Sequence, residues 1–394
     1  MKVLIVNSLY PPVPGSSGAE KAAASLGEAL VRGGHEVVVI SLHPERTATT
    51  EYRNGVKVYR LPIDNFYWLE PKTRKPVILR WLWHFKDSWN RTAARRVARI
   101  LDLEKPDVVN THNLAGFSAS VWREVKRRGI RLVHTTHDYY VVCTKRTLFR
   151  SNHVCREQCS DCRLLSRRRM KESRKVDALV SVSQETLKLH QQAGSFPGVG
   201  SHVVFNIAPP AAPPRPAQAR DARAVVFGFI GLLDKKKGIE TLLEAVTKLH
   251  HDHWRLHIAG RGDEDYSRFL RGLSSDPRIN WLGFTPASEF YSSVDVVVIP
   301  SLWPEPLPYV CVESLQAEKA IVCSASGGIP EICHMASTLL VVPPGDAASL
   351  AEAMDHALQE PDHWRRGGLV NRESLEIFNE QQVINRYLEI YSAR

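Results

Sequence analysis

Residues 209 to 216 read Pro-Pro-Ala-Ala-Pro-Pro-Arg-Pro. A stretch this rich in proline lacks the amide hydrogens that a helix or sheet ladder needs, and it behaves as a semi-rigid spacer. The 394-residue chain must therefore fold as separate units on its two sides, and its length suits two or three domains. A strand–helix–strand order follows directly: Ala224–Gly231, Gly238–His250 and Arg255–Gly260. The same order opens the chain, with a strand at Lys2–Asn7, a helix at Gly18–Arg32 stopped by Gly33-Gly34, and a strand at His35–Ser41. Each βαβ opening predicts a parallel sheet with its ligand crevice at the carboxyl ends of the strands. The expected boundaries are a first domain at 1–206, a linker at 207–223 and a second domain at 224–377. Residues 378–394 hold an amphipathic helix expected to pack back on the first domain.

In the first domain, the loop from Leu9 to Gly18 carries no G-x-G-x-x-G after its strand, which disfavours a nicotinamide-dependent oxidoreductase. Gly15 and Gly18 allow close approach of backbone to a ligand. Strands at Asp107–His112 and Arg131–Thr136 deliver His112 and His137 to one sheet edge, with Asp138 adjacent and able to orient an imidazole. A strand at Val176–Ser183, a helix at Gln184–Ala193 and a strand at Val203–Ile207 complete this domain.

Charge is divided unevenly. Residues 1–206 carry 34 Lys+Arg against 18 Asp+Glu, a balance of +16, while residues 207–394 balance at −6. Pro71–Leu101 interleaves Trp81, Trp83 and Trp89 with nine basic residues. That pattern suits an interfacial membrane surface, a nucleic-acid platform, or a helical pair with tryptophans in the core. Cys143, Cys155, Cys159 and Cys162 have the spacing of a structural zinc site, with reduced loop thiols as the alternative. No apolar run is long enough for a membrane span, and the N-terminal segment reads as a strand instead of a signal peptide. With an odd number of cysteines, seven, a cytoplasmic setting is expected.

The second domain concentrates the chemistry. Asp234-Lys-Lys-Lys-Gly238 ends at a helix start, where ammonium groups and free N–H groups suit a diphosphate. A buried strand at Asp295–Pro300 feeds Ser301–Ala317, SLWPEPLPYVCVESLQA. Its prolines exclude helix until Tyr309, so Glu305 stands on the loop, the helix start offers an anion seat, and Glu313 lies inside the helix. A ligand with hydroxyls at both ends and phosphates between, such as a sugar nucleotide, fits that order. Glu305 and Glu313 as plain solvated acids are the alternative.

Taken together, Gly18-Ala19-Glu20, His137-Asp138, Gly231…Lys237-Gly238, Ala259-Gly-Arg-Gly262, Glu305…Glu313, Ser326-Gly-Gly-Ile-Pro-Glu331 and Val342-Pro-Pro-Gly-Asp346 resemble the retaining glycosyltransferases of family 4 over nearly the whole chain. The resemblance implies the GT-B form of the α/β class: two facing Rossmann-like domains with parallel sheets. It implies transfer of a hexose-type sugar from a nucleoside-diphosphate sugar to a saccharide or lipid-linked acceptor, with retention and no metal required. Glu313 would take the ribose hydroxyls and Glu305 the donor sugar. Lys236, Lys237 and the backbone around Leu307, Pro308 and Tyr309 would take the diphosphate, with Gly231 and Gly260 shaping the pocket. Gly18 would approach the diphosphate and His137 the transferring sugar, with His112 and Asp138 on the acceptor side. Leu232 stands where the family usually has arginine, and Lys235 or Lys236 is expected to supply the charge. The basic first domain adds the expectation of an anionic acceptor at the inner membrane face, in polysaccharide biosynthesis. A sugar-nucleotide epimerase of the same fold and a basic, zinc-containing nucleic-acid binder are the alternatives; no nucleic-acid partner is expected on the leading reading.

Overall fold

The computed structural model describes residues 1–13, 18–69, 75–210, 224–368, 370 and 372–393. Gly15 and most of the 207–223 segment lie outside these residues. The chain divides into two compact units, one formed by Met1–Leu148, Cys155–Ile207 and Phe378–Arg394, the other by Phe149–Val154 and Ala208–Ile377.

The first unit runs β1 (Lys2–Val6), α1 (Gly18–Arg32), β2 (Glu36–His43), β3 (Thr49–Arg53), β4 (Val56–Pro62), α2 (Val77–Ser88), α3 (Arg91–Glu104), β5 (Val108–Thr111), α4 (Ser120–Arg127) and β6 (Arg131–Thr136). After a small hairpin that is grouped with the second unit, β7 (Phe149–Arg150) and β8 (His153–Val154), the first unit continues with α5 (Ser160–Glu172), β9 (Ala178–Ser181), α6 (Gln184–Gln192) and β10 (Gly200–Val203). The sheet order is β10-β9-β6-β5-β1-β2-β4-β3, parallel except for β3, which pairs antiparallel with β4. Strand order reverses direction at β1/β5, which places a crevice beyond Val6 and Thr111. The last strand lies at Gly200–Val203 instead of Val203–Ile207; Val204 ends the pairing by donating its N–H to the Ser181 carbonyl at 2.9 Å.

The second unit runs β11 (Val225–Ile230), α7 (Ile239–Val246), β12 (Trp254–Ala259), α8 (Glu264–Gly272), β13 (Ile279–Gly283), α9 (Ala287–Ser293), β14 (Val296–Ile299) and α10 (Tyr309–Gln316). It continues with β15 (Ala320–Ser324), α11 (Ile329–Cys333), β16 (Leu339–Val342), α12 (Ala347–Gln359), α13 (Pro361–Arg365) and α14 (Arg372–Leu375). Its sheet is fully parallel, in the order β13-β12-β11-β14-β15-β16, with the reversal at β11/β14. The central strands, VVFGFI in β11 and VVVI in β14, are almost uninterrupted apolar runs, the pattern of parallel strands covered on both faces.

The chain ends in α15 (Glu380–Ser392), which belongs to the first unit. Its apolar stripe, including Val383, Ile384, Tyr387 and Tyr391, enters the core with Leu26, Leu30 and Val37. Asn110 Nδ2 donates to Tyr391 Oη at 2.7 Å, and Arg32 grips Glu380 through Nε and Nη2 at 2.8 and 2.6 Å. Among the described residues no helix is long and apolar enough to cross a membrane.

Candidate active site

The strand order of the second unit brings the loops after β11 and β14 together at the reversal point. The lysine loop is a short 3-10 turn, Lys235–Lys237, capped by Asp234, whose carboxylate accepts the Lys236 N–H at 3.0 Å. Gly238 follows at φ +73°, and a Cβ there would lie 1.8 Å from the Pro300 carbonyl oxygen. Glycine alone lets the lysine loop close on the end of β14. The Leu302 N–H then donates to the Lys236 carbonyl at 2.8 Å, stitching the two loops.

This closure sets the central pair. Lys237 Nζ lies 2.7 Å from Glu305 Oε2, and Ser301 Oγ hydrogen-bonds Glu305 Oε1. The Glu305 side chain is 4% exposed and that of Lys237 is 23% exposed, so solvent reaches the pair from the lysine side. A second glycine holds Glu305 from behind. Gly327 sits at φ +59°, where a Cβ would fall 2.2 Å from the Glu305 carbonyl oxygen, and the Gly328 N–H donates to that oxygen at 2.7 Å.

Pro308 caps α10 without any side-chain hydrogen bond, and Leu307 and Pro308 are buried beneath it. The helix start at Tyr309 thus presents its positive end at the loop. Glu313, one turn inside, accepts from Tyr291 Oη at 3.0 Å. Burial, then the Glu313 charge, raises the Tyr291 pKa far above its usual value, so the phenol stays a donor. The Trp303 ring lies 6.0 Å from Lys237 Nζ and 5.8 Å from Lys236 Nζ. The arrangement is a cation and a helix N-terminus in the company of two carboxylates.

Sequence reasoning singled out Glu305, Glu313 and Lys237 but not Ser301, Tyr291 and Trp303, which the structure places against them. Ser301 and Trp303 lie in the stretch already singled out; Tyr291 arrives from α9 with no local signal. Gly231 and Gly260 meet backbone to backbone, and the Leu233 N–H donates to the Arg261 carbonyl at 2.9 Å. The Leu232 side chain is exposed. Lys235 pairs with Glu240 at 3.6 Å and Lys236 with Asp234 at 3.3 Å, so both lysines expected to replace a missing arginine have carboxylate partners.

The first unit gathers the histidines. His112 Nδ1 lies 2.8 Å from His137 Nε2, with the rings stacked 5.0 Å apart. Burial pushes the His137 pKa down to about 4; burial, then the neighbouring His137 and His134, puts that of His112 well below its usual value. Asp138 does not orient an imidazole through its carboxylate. It takes Asn113 Nδ2 at 2.9 Å and the Tyr140 N–H at 2.8 Å, while its backbone carbonyl faces His190 Nε2 at 3.1 Å. Burial raises the Asp138 carboxyl to about 6. Gly18 is the exposed first residue of α1.

Within the cysteine cluster, Cys143 and Cys162 meet. Cys143 hydrogen-bonds Cys162, which, with backbone N–H groups of Leu148, Thr147 and Lys145, brings the Cys143 pKa down to about 6 against the effect of burial. Cys159 caps α5, whereas Cys162 lies inside its first turn. Among the described residues, no group of three or more His, Cys, Asp or Glu side chains converges to hold a metal.

These features define a glycosyltransferase of the GT-B class. The chain belongs to the glycosyltransferases whose two halves match the models "Glycosyltransferase Family 4", over residues 16–208, and "Glycosyl transferases group 1", over residues 214–368. It is 29% identical to a 42.6 kDa protein in the cps region of Klebsiella pneumoniae, over 99% of this chain and 100% of that one. An uncharacterised glycosyltransferase of Methanocaldococcus jannaschii is 27% identical over 96% and 94% of the two chains. Sucrose-phosphate synthase from Thermosynechococcus elongatus shares the fold, with a TM-score of 0.76, 18% identity and coverage of 99% and 98%. Anabaena HepE, solved in complex with UDP-glucose, matches with a TM-score of 0.69, 16% identity and coverage of 100% and 99%.

Proposed function

We propose that the chain transfers a hexose-type sugar from a nucleoside-diphosphate sugar to an anionic or lipid-linked saccharide, with retention of anomeric configuration. The observation that carries this reading is the pair of half-buried Lys237 and buried Glu305 at 2.7 Å beside the helix start at Tyr309. Lys237 and the helix dipole stabilise the charge that develops on the departing diphosphate. Glu305 holds hydroxyls of the donor sugar, and Glu313, fixed by Tyr291, holds those of the ribose. His137, neutral near pH 7, serves the transferring sugar as a hydrogen-bonding group. Its burial and its pairing with His112 favour that role over a charged one. The complex of HepE with UDP-glucose supports a uridine donor. The basic balance of residues 1–206 supports an anionic acceptor at a membrane surface.

The test is a panel of nucleotide sugars read by thermal shift and by donor hydrolysis. One donor class should stabilise the wild type, and Glu313→Ala should weaken nucleotide binding by about tenfold or more, the effect of losing hydrogen bonds to a charged group. Lys237→Ala should abolish hydrolysis. If no nucleotide sugar shifts the melting of the wild type, the proposal fails.

A further inference from the structure

Helix α2 has two unlike faces. Val77, Ile78, Trp81, Leu82 and Phe85, at the spacing of one helical stripe, are exposed, Val77 to 77%, Ile78 to 67% and Phe85 to 58%. Trp81 stacks on Phe85 at 5.6 Å, making the stripe a continuous apolar ridge. Phe66, also exposed, carries Lys86 Nζ 5.6 Å from its ring centre. Such a ridge departs from the scattered single hydrophobics of an ordinary surface.

The opposite stripe, Arg80, Trp83, His84 and Asp87, lines a cavity of about 380 Å3 that lies within the first unit. Lys75, Lys145 and Arg146 add three more cations to its wall, and Tyr140 an aromatic face. Asp87 is the carboxylate among the described lining residues, and it is committed elsewhere. It accepts from the Gly116 N–H at 2.6 Å and Tyr140 Oη at 3.0 Å, and it faces buried Arg169 at 3.6 Å. Burial, then the charges of Arg169, Arg80 and Arg146, drives the His84 pKa down to about 4, so the imidazole is neutral near pH 7. His84 Nδ1 is buried without a hydrogen-bond partner. A concave, aromatic, strongly cationic cavity selects a phosphate-bearing group.

One helix thus presents hydrocarbon on one side and helps form an anion cavity on the other. A phospholipid-type molecule has the same two parts. A ridge bearing tryptophan, flanked by lysine and arginine, is the composition of a helix lying in a bilayer interface. The balance of +16 in residues 1–206 complements an anionic leaflet. We infer that α2 lies in an anionic bilayer surface and that the cavity behind it takes the phosphate-bearing headgroup of a lipid from that surface. The lipid's role as acceptor rests on the proposed function; its binding does not.

The test uses the full chain without donor, in flotation with phosphatidylcholine vesicles at low salt. The vesicles are plain, doped with phosphatidylglycerol, or doped to matched charge with a polyprenyl phosphate. Wild type should leave plain vesicles unbound, float with phosphatidylglycerol and float more strongly with polyprenyl phosphate. The double variant Ile78→Asp/Phe85→Asp should lose flotation with both. Arg80→Gln and Arg146→Gln should each weaken polyprenyl-phosphate binding by about fivefold and erase its advantage over phosphatidylglycerol. Melting curves check that each variant is folded.

The inference is overturned if wild type ignores the polyprenyl-phosphate vesicles or shows no preference for them at matched charge. Unchanged flotation of the double variant overturns it as well. A wild-type dimer that Ile78→Asp/Phe85→Asp converts to monomer assigns the ridge to a second copy and overturns it. Stabilisation by inorganic pyrophosphate without flotation assigns the cavity to a soluble anion, with the same result. Donor hydrolysis, measured without lipid, reports separately on the transferase reading, so either can fail alone.

Discussion

Lys237 and Glu305 share one interaction but are unequal when removed. Lys237→Ala leaves Glu305 as a buried carboxylate without its cation, a change expected to cost about 3–5 kcal/mol. Glu305→Gln keeps the shape and the Ser301 contact and should cost about 1 kcal/mol, yet lower kcat by roughly a hundredfold or more if Glu305 acts on the reacting sugar. Denaturant unfolding beside donor turnover separates the two; equal losses in both would refute the assignment of Glu305 to the sugar. Both residues were legible in the sequence because they sit on loops directly after strands, where a βαβ fold keeps its chemistry. Their partners were not. Tyr291 reaches Glu313 from another helix, a contact set by tertiary packing. Asp138 misled for a related reason. It and His137 lie in the bend just after β6, where adjacency in sequence does not set the partner: Asp138 bonds Asn113, while His112, 25 positions away, meets the His137 ring.

At the scale of elements, the site depends on two loops touching backbone to backbone. Gly238→Ala would push a methyl into the Pro300 carbonyl at a left-handed φ, and neither atom is the end of a flexible side chain. The expected cost exceeds about 1 kcal/mol, with a displaced lysine loop. Calorimetric titration with the nucleotide that stabilises the wild type should show lost binding while circular dichroism stays native; retained affinity would show that the loops need not meet. A second junction is electrostatic. Glu104, at the end of α3, accepts from Lys57 at 2.7 Å and Tyr59, and pairs with Lys2 at 2.6 Å, tying β1 and β4 to the helix. Burial alone would raise its pKa, but these three donors outweigh it and hold the carboxyl at about 2. A carboxyl lowered on folding stabilises above its unfolded pKa and loses that contribution as pH falls toward the folded value. Roughly 2–3 kcal/mol should therefore disappear between about pH 4.5 and pH 2. In Glu104→Gln, stability should fall less over that window. The exposed edge strand β3 escaped the sequence reading because Thr-Thr-Glu-Tyr-Arg has no apolar alternation. Helix α2 was legible as unusual, but which tryptophan turned inward was not: Trp83 is buried and Trp81 exposed.

For the whole molecule, the division at the proline run was legible because backbone chemistry sets it, and the return of the last helix was legible from its amphipathic stripe. The weight of that return was not. Val383, Ile384, Tyr387, Ile390 and Tyr391 are all buried in the core of the first unit. At about 1.5–3 kcal/mol each, their burial is comparable to the entire net stability of a domain. A chain stopped after residue 379 should therefore lose the cooperative melting of its first unit, while the second unit still melts with a nucleotide-dependent shift. A single native-like transition in the first unit of the truncated chain would contradict this.

The closing helix also has a consequence during translation. The first unit draws its core from both ends of the chain, so its early strands emerge from the ribosome long before the segment that covers them. At about 5–20 residues per second, nearly the whole second unit is made while that groove stands open. Synthesis thus inverts the usual order: the unit that begins first is completed last.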